Sequence, residues 1–207
     1  MNIKTASLCD QGGRPINDDT VRIQEDGGRL CVYVGDGLGG YAGGKQASES
    51  AGEALMALGS KSSLLTDAQL LSAASQAEQA VRRTQQEGQL RHYHAAQGDA
   101  QVIIGHSLAQ ELAGEMHRVA EQARWMHVGD SRLYHFRDGK LQTQTMDHSV
   151  SQMAVLMGDI TPQEIRFHED RNRVLRALGG DNAKPDLSPI LVTAQGKDAF
   201  LLCTDGF

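Results

Sequence analysis

Short apolar runs that end in an aspartate are the feature of this 207-residue sequence that most restricts its fold. Three segments have this form: Val34-Gly35-Asp36-Gly37, Val128-Gly129-Asp130-Ser131 and Cys203-Thr204-Asp205-Gly206. A fourth, Asn17-Asp18-Asp19, stands directly before the β-type run Thr20–Ile23. Aspartates at the ends of separate strands repel one another if they converge, and a hard divalent cation offsets that repulsion because it prefers oxygen ligands. The pattern favours a metal-centred site gathered from distant parts of the chain.

Asp-Gly dipeptides occur four times, and they do not all indicate a site. Asp26-Gly27 and Asp138-Gly139 lie between two β-type runs, where a hairpin turn accounts for them. Asp36-Gly37 and Asp205-Gly206 end apolar runs instead. For either one alone, an aspartate that caps a turn is the simpler interpretation. Their joint occurrence with the other two carboxylate segments favours a shared site, in which the Gly37 carbonyl would be a second oxygen ligand beside Asp36.

Composition and charge restrict the class of protein. A chain of 207 residues that is 40% hydrophobic fits one domain over residues 1–207. Its net charge of −6 argues against nucleic acid as the main partner. No apolar run approaches the roughly 20 residues that span a bilayer, and the first residues have no signal-peptide pattern. Cys9, Cys31 and Cys203 are odd in number and lack metal-type spacing, so we expect reduced thiols in a cytoplasmic protein.

Hydrophobic periodicity predicts alternating short strands and helices. Strands are expected at Val21–Ile23, Leu30–Val34, Trp125–Val128, Arg132–Phe136, Leu141–Thr145, Ile190–Val192 and Phe200–Cys203. Helices are expected at Ala42–Leu58, Asp67–Gln86, His148–Met157 and Thr161–Leu178. The polar residues Gln89–Ala100 indicate a loop. The stretch from Gln101 to Ala123 fits both patterns, because Val102–Ile104 is strand-like and the leucines that follow have helical spacing.

Two further signals suggest different chemistry. Arg14 precedes Asp19 closely enough to reach the same pocket, where its fork of donors could bind a phosphate oxygen. A solvated surface arginine is the alternative interpretation. The segment Gly105-His106-Ser107-Leu108-Ala109 follows the run Val102–Ile104 and has the form of a nucleophile elbow, which keeps a serine hydrolase using Ser107 as an alternative function.

Taken together, the motifs resemble the metal-dependent Ser/Thr protein phosphatases of the protein phosphatase 2C family, in a compact bacterial form. The matching segments are Gly12–Asp19, Asp36–Gly40, Gly129–Tyr134, Asp147–Ser149, Arg176–Gly180 and Thr204–Phe207. They follow the family's order and approximate spacing over nearly the whole chain. The resemblance implies an α+β fold, a four-layer α-β-β-α sandwich of two antiparallel sheets flanked by helices.

The resemblance also implies a metal site. Two Mn²⁺ or Mg²⁺ ions would lie between the sheets, with Asp19, Asp36 and Asp205 as carboxylate ligands. Asp36 would bridge both ions and Gly37 would contribute its carbonyl. Asp130 matches the acidic residue that helps to hold a third, weaker ion in bacterial members.

The implied reaction is hydrolysis of phosphoserine and phosphothreonine in proteins by water activated between two metal ions, without a phosphoenzyme. Arg14 matches the family's phosphate-binding arginine, so Arg14, Asp19 and Asp36 are the expected catalytic residues. The partners would be phosphorylated proteins, the products of a Ser/Thr kinase. Residues from Asp147 to about Leu178 would form a helical flap near the site, where substrate choice could be made.

Two departures from the family pattern modify these expectations. Leu38 stands where some members have a histidine proposed as general acid. The chain also stops at Phe207, before the family's C-terminal helix, closing strand and Asp-Asn pair. We therefore expect a sandwich that lacks these elements and one metal ligand. This favours, as the alternative function, a noncatalytic phosphatase-like module that recognises phosphorylated partners or regulates a kinase.

Overall fold

The computed structural model describes residues 4–13, 15–26, 29–38, 43–57, 65–90, 98–104, 121–193 and 197–205. These residues form nine β-strands, three α-helices and one 3₁₀ helix. The strands are β1 (Thr20–Asp26), β2 (Arg29–Gly37), β3 (Gly98–Ile104), β4 (Glu121–His127), β5 (Arg132–Arg137), β6 (Lys140–Gln144), β7 (Asp186–Leu187), β8 (Leu191–Thr193) and β9 (Asp198–Cys203). The α-helices are α1 (Gly43–Met56), α2 (Asp67–Leu90) and α3 (Val150–Met157), and the 3₁₀ helix is Pro162–Phe167. Within the described ranges, none of these helices has the length and apolar composition that crossing a membrane requires.

The strands form two antiparallel sheets. The larger has the order β1-β2-β3-β4-β7, with β8 also paired to β4, and the smaller has the order β6-β5-β9. The predicted hairpin is confirmed, since Thr20 pairs with Gly35 and Asp26 pairs with Arg29. The Asp138-Gly139 turn between β5 and β6 is also confirmed, and both of its residues have positive φ, as a two-residue hairpin turn requires.

Two apolar cores hold the layers together. The first lies where α1 and α2 pack on the larger sheet, and its largest fully buried members include Tyr33, Leu55 and Leu70. The second contains Trp125 of β4 and Leu133 of β5, with partly buried side chains from the neighbouring strands packed against them. The predicted arrangement of two antiparallel sheets, with helices packed outside the larger one, is thereby confirmed. A helical layer outside the smaller sheet stays a prediction.

Helix α2 shows what periodicity could and could not predict. Its N-terminus is capped, because the Gln69 N–H donates to Thr66 Oγ1 at 3.3 Å. Leu70, Ala74, Ala77 and Val81 form a buried apolar stripe on this helix, and Leu71, at the edge of the stripe, is 47% exposed. The helix continues to Leu90, and β3 already begins at Gly98, so the predicted loop Gln89–Ala100 was wrong at both ends.

The ambiguous stretch 101–123 is a strand at each end, in β3 and β4. Residues 105–120, which include the possible nucleophile Ser107, lie outside the described residues.

The helix predicted over Thr161–Leu178 was wrong beyond the 3₁₀ helix. The Val150 N–H donates to the Arg173 carbonyl at 2.9 Å, and the Leu175 N–H donates to the His148 carbonyl at 2.6 Å. Residues 169–172 are turns, and residues 173–175 pair with 148–150 through an isolated antiparallel bridge, so tertiary pairing overrides the local helix preference.

One close approach of backbones fixes helix α1 against the end of β2. A Cβ on Gly44 would lie 2.7 Å from the Gly37 carbonyl oxygen and 3.0 Å from the Asp18 side-chain carboxyl carbon. The first distance is shorter than side chains tolerate and the second is tighter than most side-chain contacts, so a larger residue fits at position 44 only if its surroundings shift. This contact places the start of α1 directly beside the Asp36-Gly37 turn.

We expect Gly44→Ala to lower the free energy of unfolding by about 1–3 kcal/mol, because the added methyl group forces α1 away from the Gly37 carbonyl. The same change at an ordinary helix position would be stabilising by up to about 1 kcal/mol. Urea unfolding in the presence of a chelator measures the difference. Gly13→Ala is the control, since nothing lies within 4 Å of its added Cβ. Equal stability of Gly44→Ala and the parent protein would contradict this packing.

Candidate active site

Strand ends bring four aspartates to one cavity. Asp36 is the residue before the last in β2, Asp130 lies between β4 and β5, and Asp205 follows β9. These three, with Asp18 and Gly37, line a cavity of about 410 Å³. Asp36 and Asp130 are buried, whereas Asp205 is exposed. Segments that are far apart in the sequence therefore converge as the carboxylate pattern predicted.

The cavity has the chemistry of a divalent metal site. No lysine or arginine is among the described residues that line it, although four carboxylates do. The Asp18 Oδ1 atom is buried and has no hydrogen-bond partner among the described residues. A buried carboxylate oxygen without a partner is costly unless a cation compensates it. Carboxylate and carbonyl oxygens are the ligands that Mg²⁺ and Mn²⁺ prefer, so the residues present fit such ions.

Asp18 is a site residue that sequence reasoning missed. The motif Asn17-Asp18-Asp19 contained the signal, because two adjacent carboxylates stand before β1. Of this pair, Asp18 lines the cavity, whereas Asp19 does not. Asp19 lies at its border: its Oδ2 accepts a hydrogen bond from Thr204 Oγ1 at 3.0 Å, and Thr204 is the neighbour of Asp205.

Helix α1 fixes the backbone of this acidic pair. The Lys45 ammonium donates to the Asp19 carbonyl at 2.6 Å, and the Ser48 hydroxyl lies 2.6 Å from the Asp18 carbonyl. Ser48 Oγ is also 2.8 Å from the hydroxyl of Thr20, and both residues are buried. The hydrogen bonds hold the segment in place although its side chains repel one another.

The expected site residues thus fall into three groups. Asp36, Gly37, Asp130 and Asp205 meet at one cavity. Asp19 borders it through Thr204. Arg14 lies outside the described residues, and its contribution stays a prediction.

A second polar cluster lies behind Asp130. The rings of His127 and His148 stack at 4.4 Å, and their nitrogen atoms lie within 4.8 Å of each other and of an Asp186 carboxylate oxygen. The Arg176 guanidinium donates to Asp186 at 2.7 Å and lies 3.1 Å from His148 Nε2. Two histidines and a carboxylate could hold a metal ion, but here the Arg176 guanidinium already supplies the positive charge beside Asp186. We therefore interpret the cluster as a hydrogen-bond network.

The network supports the turn that carries Asp130. The Gly129 N–H donates to His148 Nδ1 at 3.1 Å, and the His148 N–H donates to the Gly129 carbonyl at 2.9 Å. Because Nδ1 accepts, the ring proton is on Nε2, which donates to Asp186 at 3.0 Å. Burial lowers the pKa of His148 below its ordinary value, which favours the neutral ring that this arrangement requires.

Burial also lowers the pKa of His127, from 6.5 to about 4, and the neighbouring His148 adds to the shift. The His127 Nε2–H donates to the Met146 carbonyl at 2.9 Å. A neutral ring is sufficient for that bond. Both histidines are therefore neutral parts of the scaffold at neutral pH.

Comparison with known proteins agrees with the sequence motifs. Residues 9–207 match the family model of protein phosphatase 2C. The serine/threonine protein phosphatase PstP of Mycobacterium tuberculosis is 42% identical over 81 residues, which are 39% of this chain and 15% of that protein. The serine/threonine phosphatase Stp of Listeria monocytogenes is 30% identical over 176 residues, which are 84% of this chain and 65% of that protein.

Among solved structures, the catalytic domain of PstP in complex with two manganese ions superposes with a TM-score of 0.69 at 30% identity. The superposition covers 93% of this chain and 73% of that one. The chain spans less than two thirds of the length of PstP and of Stp.

The pKa of His127 predicts how stability depends on pH. Between pH 6.5 and about 4 the unfolded chain binds a proton at this ring and the folded chain does not. Stability therefore falls as the pH falls through this window, by up to about 3 kcal/mol. Urea unfolding in chelator at several pH values from 7 to 4 measures the decline.

His127→Asn keeps an amide donor for Met146 and removes the titrating ring, so we expect a shallower decline than in the parent. His168→Asn is the control, because His168 lies after the 3₁₀ helix and outside the cluster. A decline in His127→Asn as steep as that of the parent would assign the pH dependence to other groups.

Proposed function

Because this chain belongs to the protein phosphatase 2C family, we propose that it hydrolyses phosphoserine and phosphothreonine in proteins with the help of divalent metal ions. The observation that carries the proposal is the convergence of four aspartates on one cavity that no described lysine or arginine lines. Two of the relatives are named serine/threonine phosphatases, and they are 42% and 30% identical to this chain over 81 and 176 residues.

We propose that Asp19, Asp36, Asp205 and the Gly37 carbonyl hold two Mn²⁺ or Mg²⁺ ions, and that Asp130 helps to hold a third, weaker one. The two manganese ions of the PstP catalytic domain support this number and type. Asp18 joins the set, because its buried oxygen is without a partner among the described residues.

Divalent ions held by these oxygens would polarise the phosphoryl group and lower the pKa of a water molecule for attack on phosphorus. The protein's own part is to place the ligands. Thr204 orients the Asp19 carboxylate, and Asp36 and Gly37 present two oxygens from one rigid strand end. Arg14 would bind a phosphoryl oxygen through its guanidinium, as its position in the family pattern implies. Leu38 lines the cavity and has no proton to give, so it cannot act as the general acid.

We also propose that residues 1–207 form a single domain. The Thr204–Asp19 hydrogen bond joins the two ends of the described chain, and strands from both halves line one cavity.

The partners would be phosphorylated products of a Ser/Thr kinase, and the net charge of −6 argues against nucleic acid. Cys9, Cys31 and Cys203 are unpaired, which supports a cytoplasmic location.

Hydrolysis of a phosphothreonine peptide with Mn²⁺, with Mg²⁺ and with chelator tests the proposal. We expect turnover with metal, none with chelator, and a fall of at least about 100-fold in kcat for Asp36→Asn, because a ligand to the ions is lost. Asp205→Asn gives a second test at an exposed position. Asp181→Asn is the matched control, since Asp181 is exposed and lies outside the cavity.

Thermal melting shows whether each variant is folded. Turnover that is unaffected by chelator and by Asp36→Asn would contradict metal-dependent hydrolysis. Phosphopeptide binding without turnover at saturating metal would instead support the noncatalytic module.

A further inference from the structure

A second cavity adjoins the aspartate cavity. It measures about 560 Å³ and shares Asp130, Asn172 and Asp205 with the first, so the two are continuous along one wall. It is also lined by Arg166 of the 3₁₀ helix and Arg171 of the following loop. We call this space the flank cavity.

The charges of the flank cavity do not balance once the proposed metal ions are in place. Asp130 and Asp205 would be committed to the ions. Arg132 is already paired, since it donates two hydrogen bonds to Asp147 at 2.7 and 2.5 Å. Two arginines remain, and neither has an ion pair with a carboxylate among the described residues. The cavity therefore presents an excess of positive charge.

Glu164, Glu169 and Asp170 of the same segment form no ion pair with either arginine among the described residues, and Glu169 is exposed. The Glu164 carboxylate accepts hydrogen bonds from the backbone N–H and the hydroxyl of Thr161, at 2.7 and 2.8 Å. Asp170 is paired with Arg173 at 3.2 Å. The Arg166 guanidinium lies 5.7 Å from the centre of the Phe167 ring, a cation–π contact that leaves its donors available.

We propose that this cavity binds a carboxylate side chain close to the phosphorylated residue of the substrate, so that the protein prefers phosphoproteins with Asp or Glu beside the phosphosite. The inference depends on the proposed function. Consecutive residues of an extended peptide are about 3.3–3.6 Å apart, so a phosphothreonine in the aspartate cavity directs its neighbours into the adjoining space. The arginine fork matches a carboxylate, and Arg166 and Arg171 are therefore specificity-determining residues.

Three phosphothreonine peptides that differ only in the flanking residues, which are Glu, Ala or Lys, test this preference. We expect kcat/KM to be highest for the Glu peptide and lowest for the Lys peptide, with roughly a five- to tenfold range that arises mainly in KM. The range should shrink when salt is raised from 0.05 to 0.5 M, since exposed charges are screened.

Arg166→Glu should reverse the order, so that the Lys peptide becomes the better substrate. Arg171→Glu, at the second arginine, should shift the order in the same direction. Arg83→Glu is the matched control: it makes the same change in net charge on the exposed face of α2, away from the cavity, and should leave the order of the peptides unchanged.

Equal kcat/KM for the three peptides, or an order that Arg166→Glu and Arg171→Glu leave unchanged, would overturn the inference. p-Nitrophenyl phosphate, which has no flanking residues, separates this result from failure of the proposed function. If p-nitrophenyl phosphate and the Ala peptide are hydrolysed without a Glu preference, only the acidic subsite is wrong. If nothing is hydrolysed with either metal, the proposed function is wrong, and with it this inference.

Discussion

Repulsion between carboxylates is the constraint on which the arrangement of this molecule depends. Four aspartates from the N-terminal segment, β2, the β4–β5 turn and the end of β9 line one cavity. Hydrophobic packing can bring strand ends together, but it cannot stabilise negative charges that meet there. The fold therefore has to hold the backbone of each aspartate firmly enough that a bound cation, when present, gains the full attraction.

The scaffold meets this requirement with hydrogen bonds to the backbone and with close packing. Lys45 and Ser48 hold the carbonyls of the adjacent pair before β1, and the contact between Gly37 and Gly44 fixes the β2 end against α1. The buried histidine His148 accepts from Gly129 and so supports the Asp130 turn. Polar groups that do not face the cavity thus act on it indirectly. This division leaves the cavity wall free for oxygen ligands.

Local signals made much of the fold predictable from the sequence. The β1–β2 hairpin and the Asp138-Gly139 turn follow from residues that are adjacent in the chain. The convergence of Asp36, Asp130 and Asp205 was also predictable, because each ends an apolar run. The stretch after the 3₁₀ helix was not, since its backbone pairs with residues 148–150, and no local pattern carries that information. The separate positions of Asp18 and Asp19 depend likewise on Thr204, which is distant in the sequence.

The hydrogen bond from Thr204 to Asp19 spans 185 positions of the chain. During synthesis the N-terminal segment leaves the ribosome long before β9 exists, and loop closure over such a distance is slow compared with the formation of the hairpin and helices. Until β9 has been made, Asp19 therefore lacks its hydrogen bond from Thr204, which follows that strand. The hydrogen bond that orients the Asp19 carboxylate forms only after β9 has been made, so this border of the cavity is among the last parts of the domain to be completed.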